Sequence, residues 1–294
     1  MWLKRSKGEL LFDIANVTLM ALFAFICLYP FWYVMVLSFN DGRDAMRGGI
    51  FLWPREWSLE NFTTLFRDER LLGSFLMSVM RTVGGMALAL LVNSLYAYAI
   101  SKRDLPFRKL FNWMIVIPMY FAGGIIPYYL ICRWLGLVNN PLVFVIPWAI
   151  IPFHVLLLRT SMQDFPSSIE ESAQLDGSGY FRIFWTMVLP LSKPALATVA
   201  LLAGIMHWND WLDGTIMVTN SRFWPMQTLL LNIIQGADIM AYFKSIGQGG
   251  LGAYVRRSAI TPESLKMAML VITVVPILMI YPLAQRYFIK GLML

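Results

Sequence analysis

One polar stretch between two apolar ones decides the fold of this chain. It reads PSSIEESAQLDGSGYFRIFWTMVLP and runs from Pro166 to Pro190. Ser167 or Ser168, followed three residues later by Glu170 or Glu171, forms a capping-box pattern, in which a serine and a glutamate side chain satisfy free backbone amides at the start of a helix. A helix is therefore predicted to begin here, with acidic residues at the positive end of its dipole.

The first helix of this stretch is predicted to end near Asp176-Gly177, because glycine readily takes the left-handed conformation that terminates helices. A second short helix is predicted from Tyr180 to Val188, ending at Leu189-Pro190. The two helices would meet at a glycine bend.

The second helix is predicted to carry Phe181, Phe184, Trp185 and Val188 on one side, since positions three and four apart share a helix face. Aromatic anchors with this spacing are typical of a helix that sits in a groove of another protein. The polar stretch is therefore predicted to be a docking element.

The sequence on both sides of the docking element is too apolar for a soluble protein. Hydrophobic residues make up 58% of the chain and charged residues 14%, and the mean hydropathy is +0.62. Soluble domains carry about 25% charged residues. These values predict an integral membrane protein, because lipid can solvate apolar surface that water cannot.

Six stretches are long and apolar enough to cross a bilayer as helices. They cover residues 14–37, 74–100, 110–131, 142–158, 194–218 and 265–288. The first is too long for the apolar region of a signal peptide and is interpreted as a retained helix. The predicted fold is an all-α membrane protein, with one transmembrane domain over residues 1–294 and a loop at 161–193 between the fourth and fifth helices.

The distribution of basic residues in the short segments predicts the orientation of the chain. Lys4, Arg5 and Lys7 precede the first helix, and the loop at 101–109 carries four basic residues. The short loop after the third helix carries only one. Both termini and the 161–193 loop are therefore predicted to lie in the cytoplasm, with the chain in the cytoplasmic (inner) membrane.

The docking element resembles a loop found in the permeases of ATP-binding-cassette importers. That loop has the form Glu-Ala-Ala, three residues, Gly, nine residues, Ile-x-Leu-Pro. This chain has Glu171-Ser-Ala, three residues, Gly177, nine residues, and Met187-Val-Leu-Pro190. The spacing matches in full, and the departures at Ser172 and Met187 keep a small and an apolar residue. The six helices with both ends inside resemble the smaller permease of maltose-type importers.

The resemblance implies a set of partners and of contact residues. The partners are a second permease, expected to be a different chain, two ATPase subunits that bind ATP and magnesium, an extracytoplasmic solute-binding protein, a sugar substrate and the lipid bilayer. No cofactor is expected on this chain. The residues expected to couple it to an ATPase are Glu170, Glu171, Ser172, Ala173, Asp176, Gly177, Phe181, Phe184, Leu189 and Pro190.

A second cluster combines polar and aromatic residues in the fifth predicted helix. Trp208-Asn-Asp-Trp211 resembles a variant typical of oligosaccharide importers, and several arginines in the loops opposite the cytoplasm suggest an acidic sugar such as an alginate fragment. Two interpretations stay open, a lining of the substrate path and an ordinary polar cluster at the membrane interface. The residues concerned are Trp208, Asn209, Asp210, Trp211 and, in the second helix, Asn93. Asn93 could equally make a hydrogen bond between helices.

Two other classes of membrane protein compete with this interpretation. A membrane enzyme would need converging catalytic groups or metal ligands, and the only histidines, His154 and His207, form no ligand motif. A secondary transporter or channel would not need a docking loop. The net charge of +7 shows no clustered basic run, so nucleic-acid binding is not expected. The chain also lacks a phosphate-binding Gly-rich loop, in agreement with ATP hydrolysis on other chains.

Overall fold

A computed structural model of the chain describes residues 7–121, 123–163, 165–235 and 261–291. Within these ranges the chain is helical and contains no strand, apart from an isolated bridge between Asn40 and Trp57. Its contacts form two compact units, one from Met1–Asp68 with Ile233–Thr273 and the other from Glu69–Asn232 with Val274–Leu294.

The first unit contains the long helix α1 (Lys7–Ser38) and the short helices α2 (Gly42–Met46) and α3 (Glu60–Phe66). α1 has 32 residues, a mean hydropathy of 2.2 in its most apolar window, and no buried residue in that window. At about 1.5 Å per residue it exceeds the thickness of the hydrocarbon core. The helix α14 (Pro262–Gly291) begins in the same unit.

The second unit is built around α4 (Glu69–Ser101), a continuous helix of 33 residues. Helices α7 (Pro152–Gln163) and α11 (Lys193–Asn209) pack along it. Small residues such as Ala97 let these helices approach α4 closely, as is usual in membrane bundles. Ala97, Ile100, Val155, Leu158 and Val199 are almost completely buried there.

The remaining described segments of this unit are short. They are α5 (Arg108–Tyr120), α6 (Ile125–Trp134), a 3₁₀ turn (Pro141–Phe144), α8 (Ser167–Leu175), α9 (Tyr180–Ile183), a π-helical turn (Phe184–Val188), α10 (Leu189–Leu191), α12 (Leu212–Met217), a second 3₁₀ turn (Ser221–Phe223) and α13 (Met226–Gln235).

The stretch predicted as a third continuous helix, residues 110–131, is divided between α5 and α6. The division falls at Gly123-Gly124, where Gly124 has a φ of +84°. A residue with a side chain would be strained in that conformation, and glycine is not. Pro118 and Pro127 on either side further weaken the helical hydrogen bonding.

The stretch predicted as a fourth continuous helix, residues 142–158, is helical only at its two ends. Between the 3₁₀ turn and α7 the chain is irregular, and the amide of Asn93 satisfies part of its backbone. Asn93 Nδ2 donates to Ala149 O over 2.9 Å, and its Oδ1 accepts from Ile151 N over 2.9 Å. Buried irregular backbone in a membrane protein requires such partners.

The fifth predicted helix, residues 194–218, bends at Asp210-Trp211 between α11 and α12. The Asp210 carboxylate accepts a hydrogen bond from Leu212 N over 3.0 Å, which satisfies a free amide at the start of α12.

Three of the described helices are long and apolar enough to cross a membrane alone, namely α1, α4 and the part of α14 up to Ile280. A bent pair, Tyr180–Leu191 with Lys193–Asn209, raises the count to four if it is taken as one span, but its two halves meet at 82°. α5, α6 and α7 have 13, 10 and 12 residues, so each alone is shorter than the roughly 30 Å hydrocarbon core.

Candidate functional site

Helix α8 of the predicted docking element ends where the glycine bend is expected. Ser178 N donates to Ala173 O and Gly177 N donates to Gln174 O, both over 2.9 Å, while Gly177 has a φ of +81°. This pair of bonds around a left-handed glycine is a Schellman motif, which satisfies the last carbonyls of a helix.

The predicted capping box at the start of α8 is wrong. Pro166 precedes the helix and no side chain caps it. Glu170 instead forms an ion pair with Lys102 at the end of α4. The Lys102 ammonium also lies 4.2 Å from the centre of the Tyr98 ring, a favourable cation–π distance. The helix therefore begins directly after a proline, whose side chain cannot accept a hydrogen bond from the free amides.

A second tether connects the docking element to the segment after α4. The Tyr180 hydroxyl donates to Asp104 Oδ2 over 2.8 Å. This hydrogen bond and the negative charge of Asp104 raise the pKa of Tyr180 above its usual value. Together with the Lys102–Glu170 pair, the bond fixes both helices of the docking element to one end of α4.

A polar cavity of about 840 Å³ lies between the docking element and the 101–108 segment. Basic side chains of Lys102, Arg103 and Arg108 line it on one side, and Glu171 with Gln174 line it on the other. It is therefore a water-accessible cleft rather than an apolar ligand pocket.

The second helix of the docking element runs without interruption from α9 through the π turn into α10. Pro190 has no amide proton, and its ring would crowd the carbonyl four residues earlier. A one-residue widening to π-helical bonding relieves that crowding. The predicted end at Leu189-Pro190 lies two residues before the observed end at Leu191.

Two of the predicted coupling residues lie inside the chain and not on its surface. Phe184 is 1% exposed, with its ring 5.3 Å from that of Tyr98, and Ala173 is 4% exposed in the same core. Val188, on the predicted aromatic face, is also 1% exposed. These residues pack inside the chain because this side of the helix faces the core that includes α4 and α7.

The outward side of the docking element carries most of the other predicted coupling residues and also Leu175, which was not among them. Leu175 at the end of α8 is 89% exposed and Phe181 is 69% exposed. The signal for Leu175 in the sequence was a large apolar residue at the end of a mostly polar helix. Also exposed are Glu171, Ser172, Asp176, Gly177 and Pro190, whereas Glu170 and Leu189 are partly buried.

The polar cluster of the fifth predicted helix is organised by Arg81 of α4, which sequence reasoning also missed. Its Nη2 lies 2.6 Å from Asp210 Oδ2, and its Nη1 donates to Asp210 O over 3.0 Å. The Arg81 side chain is 1% exposed and lies 4.9 Å from the centre of the Phe144 ring. A single arginine in an apolar span was the sequence signal, since such charges need a partner.

Asp213 extends this cluster one turn into α12. The residue is completely buried, and its carboxylate accepts from Tyr128 Oη over 3.0 Å and from Trp148 Nε1 over 2.7 Å. These donors come from α6 and from the irregular segment before α7. Arg81, Asp210 and Asp213 thus hold together the breaks in the fourth and fifth predicted helices.

The predicted substrate-path residues occupy different environments. Trp208 is 7% exposed and packs edge-to-face on Phe75, whereas Trp211 is 48% exposed. Asn209 is exposed and Asp210 half-buried. Asn93 is completely buried, and its amide bonds to backbone groups of α4 and of the irregular segment before α7.

The docking element lies at the C-terminal end of α4, and the polar cluster lies at Arg81 in the N-terminal half of this helix. Arg81 precedes Ser101 by twenty residues, a distance of about 30 Å along a helix. One rigid helix therefore connects the Lys102–Glu170 pair to the Arg81–Asp210 pair.

Residues 3–293 match the family described as binding-protein-dependent transport system inner membrane component. The chain is 34% identical to the polygalacturonan/rhamnogalacturonan transport system permease protein YtcP of Bacillus subtilis, over 97% of each chain. It is 31% identical to protein LplC of the same organism, over 98% of this chain and 95% of that one.

A solved structure is also similar, the crystal structure of a bacterial ABC transporter involved in the import of the acidic polysaccharide alginate. The match has a TM-score of 0.88 and 29% identity and covers 97% of this chain and 99% of that one. The resemblance to importer permeases is thereby confirmed, and so is the helical fold of this class. The similarity to proteins named as permeases supports a transporter subunit rather than an enzyme. The chain belongs to the family of inner membrane components of binding-protein-dependent transport systems.

Proposed function

We propose that this chain is one of two permease subunits of an ATP-binding-cassette importer that takes up oligosaccharides containing acidic sugars. The observation that carries the proposal is similarity over nearly the whole chain to permeases whose names specify carbohydrate transport. ATP and magnesium would bind to separate ATPase subunits, and the second permease would be a different chain.

The names of the similar proteins support the proposed solute. One is named for polygalacturonan and rhamnogalacturonan, another for arabinooligosaccharides, and the alginate transporter imports an acidic polysaccharide. All of these names specify sugar chains of more than one unit, and the alginate is named as acidic.

A comparison of acidic and neutral oligomers tests the solute. ATP hydrolysis by the purified complex would be measured with its binding protein loaded with galacturonate oligomers or with arabino-oligosaccharides. Stronger stimulation by the galacturonate oligomers is expected. Stimulation by the neutral oligomers alone would overturn the acidic assignment and leave the importer function intact.

We also propose that residues 1–294 form a single transmembrane domain with six spans and with both termini in the cytoplasm. This arrangement contains three broken spans, which are formed by α5 with α6, by the first 3₁₀ turn with α7, and by α11 with α12. Broken helices suit a transport path, because their freed backbone groups can line a cavity. In a Cys27→Ser background, a membrane-impermeant maleimide should label Phe107→Cys, at an exposed position of the 101–109 loop, only after permeabilisation and Arg47→Cys in intact cells. The reverse pattern would invert the topology.

The docking element, residues 161–193, would bind an ATPase through its exposed side. Leu175 and Phe181 supply apolar contacts, and Glu171 and Asp176 supply charges at their edge. Buried apolar anchors surrounded by polar groups are typical of strong protein interfaces. Phe184 and Ala173 would support this surface from within.

Two contacts, the Lys102–Glu170 ion pair and the Tyr180–Asp104 hydrogen bond, would transmit ATPase movement to the membrane helices. When ATP closes the ATPase pair, the docking element moves with its ATPase as a rigid body. The Lys102–Glu170 pair and the Tyr180–Asp104 bond link that movement to α4. The N-terminal half of α4 carries Arg81, whose contact with Asp210 holds the α11–α12 bend. Asn209, Asp210 and Trp211 are the proposed path residues at this bend.

Site-specific photo-cross-linking tests the docking surface in intact cells. A photoreactive amino acid at Leu175 or at Phe181 should form an adduct with the ATPase. The matched control is Trp134, which is 85% exposed and lies across the membrane in the proposed topology, so it should form none. Absence of adducts at both positions 175 and 181 would overturn the docking surface.

A further inference from the structure

A short apolar ridge stands out in the segment between α2 and α3. Phe51, Leu52 and Trp53 are 61%, 64% and 61% exposed. Ile50 before them is 3% exposed, and Pro54 after them is also buried. Three large apolar side chains are thus held outward between two buried residues.

The ridge folds back along α1 instead of projecting beyond its end. Trp32 Nε1 donates to Leu52 O over 2.9 Å, and the Trp32 ring lies 6.2 Å from the Trp53 ring. Tyr29 Oη donates to Phe51 O over 3.5 Å. Trp32 and Tyr29 precede Ser38, the last residue of α1, by six and nine residues, which corresponds to about 9 and 14 Å along the helix.

Those two hydrogen bonds supply donors to backbone carbonyls, which matters most where no water is available as a donor. A backbone carbonyl that faces lipid without a donor costs several kcal/mol, whereas one that faces water finds a donor in the solvent. The carbonyls of Phe51 and Leu52 both accept from side chains of α1.

Hydrogen bonds of Asn40 and Arg55 hold the ridge segment in place on the side away from its exposed apolar residues. Asn40 Oδ1 accepts from Arg55 N over 2.8 Å and from Glu56 N over 3.1 Å. Arg55 donates from Nε to Asp44 Oδ2 over 3.1 Å and from Nη2 to Gly48 O over 2.7 Å. The segment therefore has a polar, internally bonded side and an apolar, aromatic side.

We propose that residues 50–57 form a re-entrant wedge that places Phe51, Leu52, Trp53 and Trp57 among the lipids at the Ser38 end of α1. Tryptophan favours this zone, since its ring is apolar and its N–H is polar. Trp57 is 61% exposed and lies 5.6 Å from Trp53, ring to ring. The exposed apolar surface of α1, a helix long and apolar enough to span the bilayer, continues into the ridge through Trp32, which favours lipid over a protein partner.

Lipid photo-cross-linking tests the wedge on the unaltered chain in its assembled complex. The complex would be placed in nanodiscs that contain a phospholipid with a photoreactive group near its headgroup, and then digested with trypsin. Cleavage after Arg47 and Arg55 releases Gly48–Arg55 as one peptide, which should carry lipid adducts. The peptide that contains α1 serves as the positive control. An adduct-free Gly48–Arg55 beside a labelled α1 peptide would overturn the proposal.

A spin label gives an independent measure of depth. Leu52→Cys and its control Arg47→Cys would be labelled in a Cys27→Ser background, since Cys27 is exposed and Cys132 is buried. The ratio of collisions with oxygen to collisions with a water-soluble nickel chelate should be several-fold higher at position 52. Equal ratios would mean that the ridge projects into water. Exclusion of both reagents from position 52 would mean that a protein partner covers it. Either result overturns the wedge.

Discussion

Arg81 is the residue on which the polar cluster depends, because it donates to both the side chain and the backbone of Asp210. Replacing it in Arg81→Met would leave the half-buried carboxylate without its cation. Loss of one partner of a buried pair costs about 3–5 kcal/mol, and the 19% exposure of the Asp210 side chain places the expected loss near the lower limit. Thermal unfolding of the purified complex should show a clearly lower Tm.

The matched control for this prediction is the double variant Arg81→Met/Asp210→Asn. It removes both charges, so its loss of stability should be smaller than that of Arg81→Met alone. A Tm for Arg81→Met equal to that of the wild type would contradict the structural role of the pair.

Two neighbouring glycines of α4 give a second prediction at the residue scale. A Cβ on Gly85 would lie 2.4 Å from His207 Cε1 and Nε2, whereas a Cβ on Gly84 would meet no atom within 4 Å. Gly85→Ala should therefore destabilise the fold by about 1–3 kcal/mol through overpacking. Gly84→Ala should be neutral or stabilising, because alanine favours a helix.

The measurement is the thermal stability of both alanine variants in the same detergent. Gly85→Ala/His207→Ala should recover part of the loss, since the smaller side chain leaves room for the added methyl group. Equal stability of Gly84→Ala and Gly85→Ala would show that His207 does not occupy this position.

At the scale of elements, the docking element depends on the left-handed turn at Gly177. Gly177→Ala forces a side chain into a φ of +81°, at a cost of about 1–2 kcal/mol. Gly179→Ala is the matched control, because Gly179 has a φ of −74° and no atom within 4 Å of its Cβ position. Amide hydrogen exchange over residues 167–191 should rise in Gly177→Ala only. Similar exchange in both variants would contradict the Schellman turn.

The tethers of the docking element give a prediction on pH. Because its pKa is raised, Tyr180 keeps its proton in the folded state. Its bond to Asp104 therefore contributes fully below the unfolded pKa of about 10 and is lost as pH rises through the higher folded pKa. Hydrogen exchange over residues 180–191 should be faster in Tyr180→Phe than in the wild type by the same factor at pH 7 and pH 9. A difference that vanishes by pH 9 would contradict the raised pKa.

An element could be predicted from the sequence where the residues that determine it lie within the element itself. α1, α4 and α14 follow from long apolar runs, and the Gly177 turn follows from one residue. The breaks in the other spans are less local, because Asn93 and Arg81 bond to residues 56 and 129 positions away. Sequence pattern cannot reveal such partners.

The same distinction explains the errors at the docking element. Glu170 suits a capping box by spacing, but Lys102, 68 residues away, takes its carboxylate. Phe184 suits an exposed aromatic face by spacing, but the core covers that side of the helix. Leu175 and Phe181 remain exposed, so the exposed apolar surface of this segment is smaller than predicted and lies nearer to the glycine bend.

At the scale of the whole molecule, α4 is the element that connects the docking element to the polar cluster. Lys102 holds the docking element directly after its C-terminal end, and Arg81 in its N-terminal half holds the α11–α12 bend. In the proposed function, ATPase closure at the cytoplasmic face thereby reaches Asp210 and Trp211 without any nucleotide site on this chain.

The most direct test of this account is ATP hydrolysis by the purified complex of this chain with its second permease and ATPases in nanodiscs, with loaded or empty binding protein. Loaded binding protein should stimulate the wild type and the control Phe107→Asp, whose phenylalanine is 79% exposed, to the same extent. Leu175→Asp/Phe181→Asp should lose the stimulation or the ATPases while the two permeases still assemble. Wild-type stimulation in the double variant, or a wild-type chain that binds no ATPase, would contradict the account.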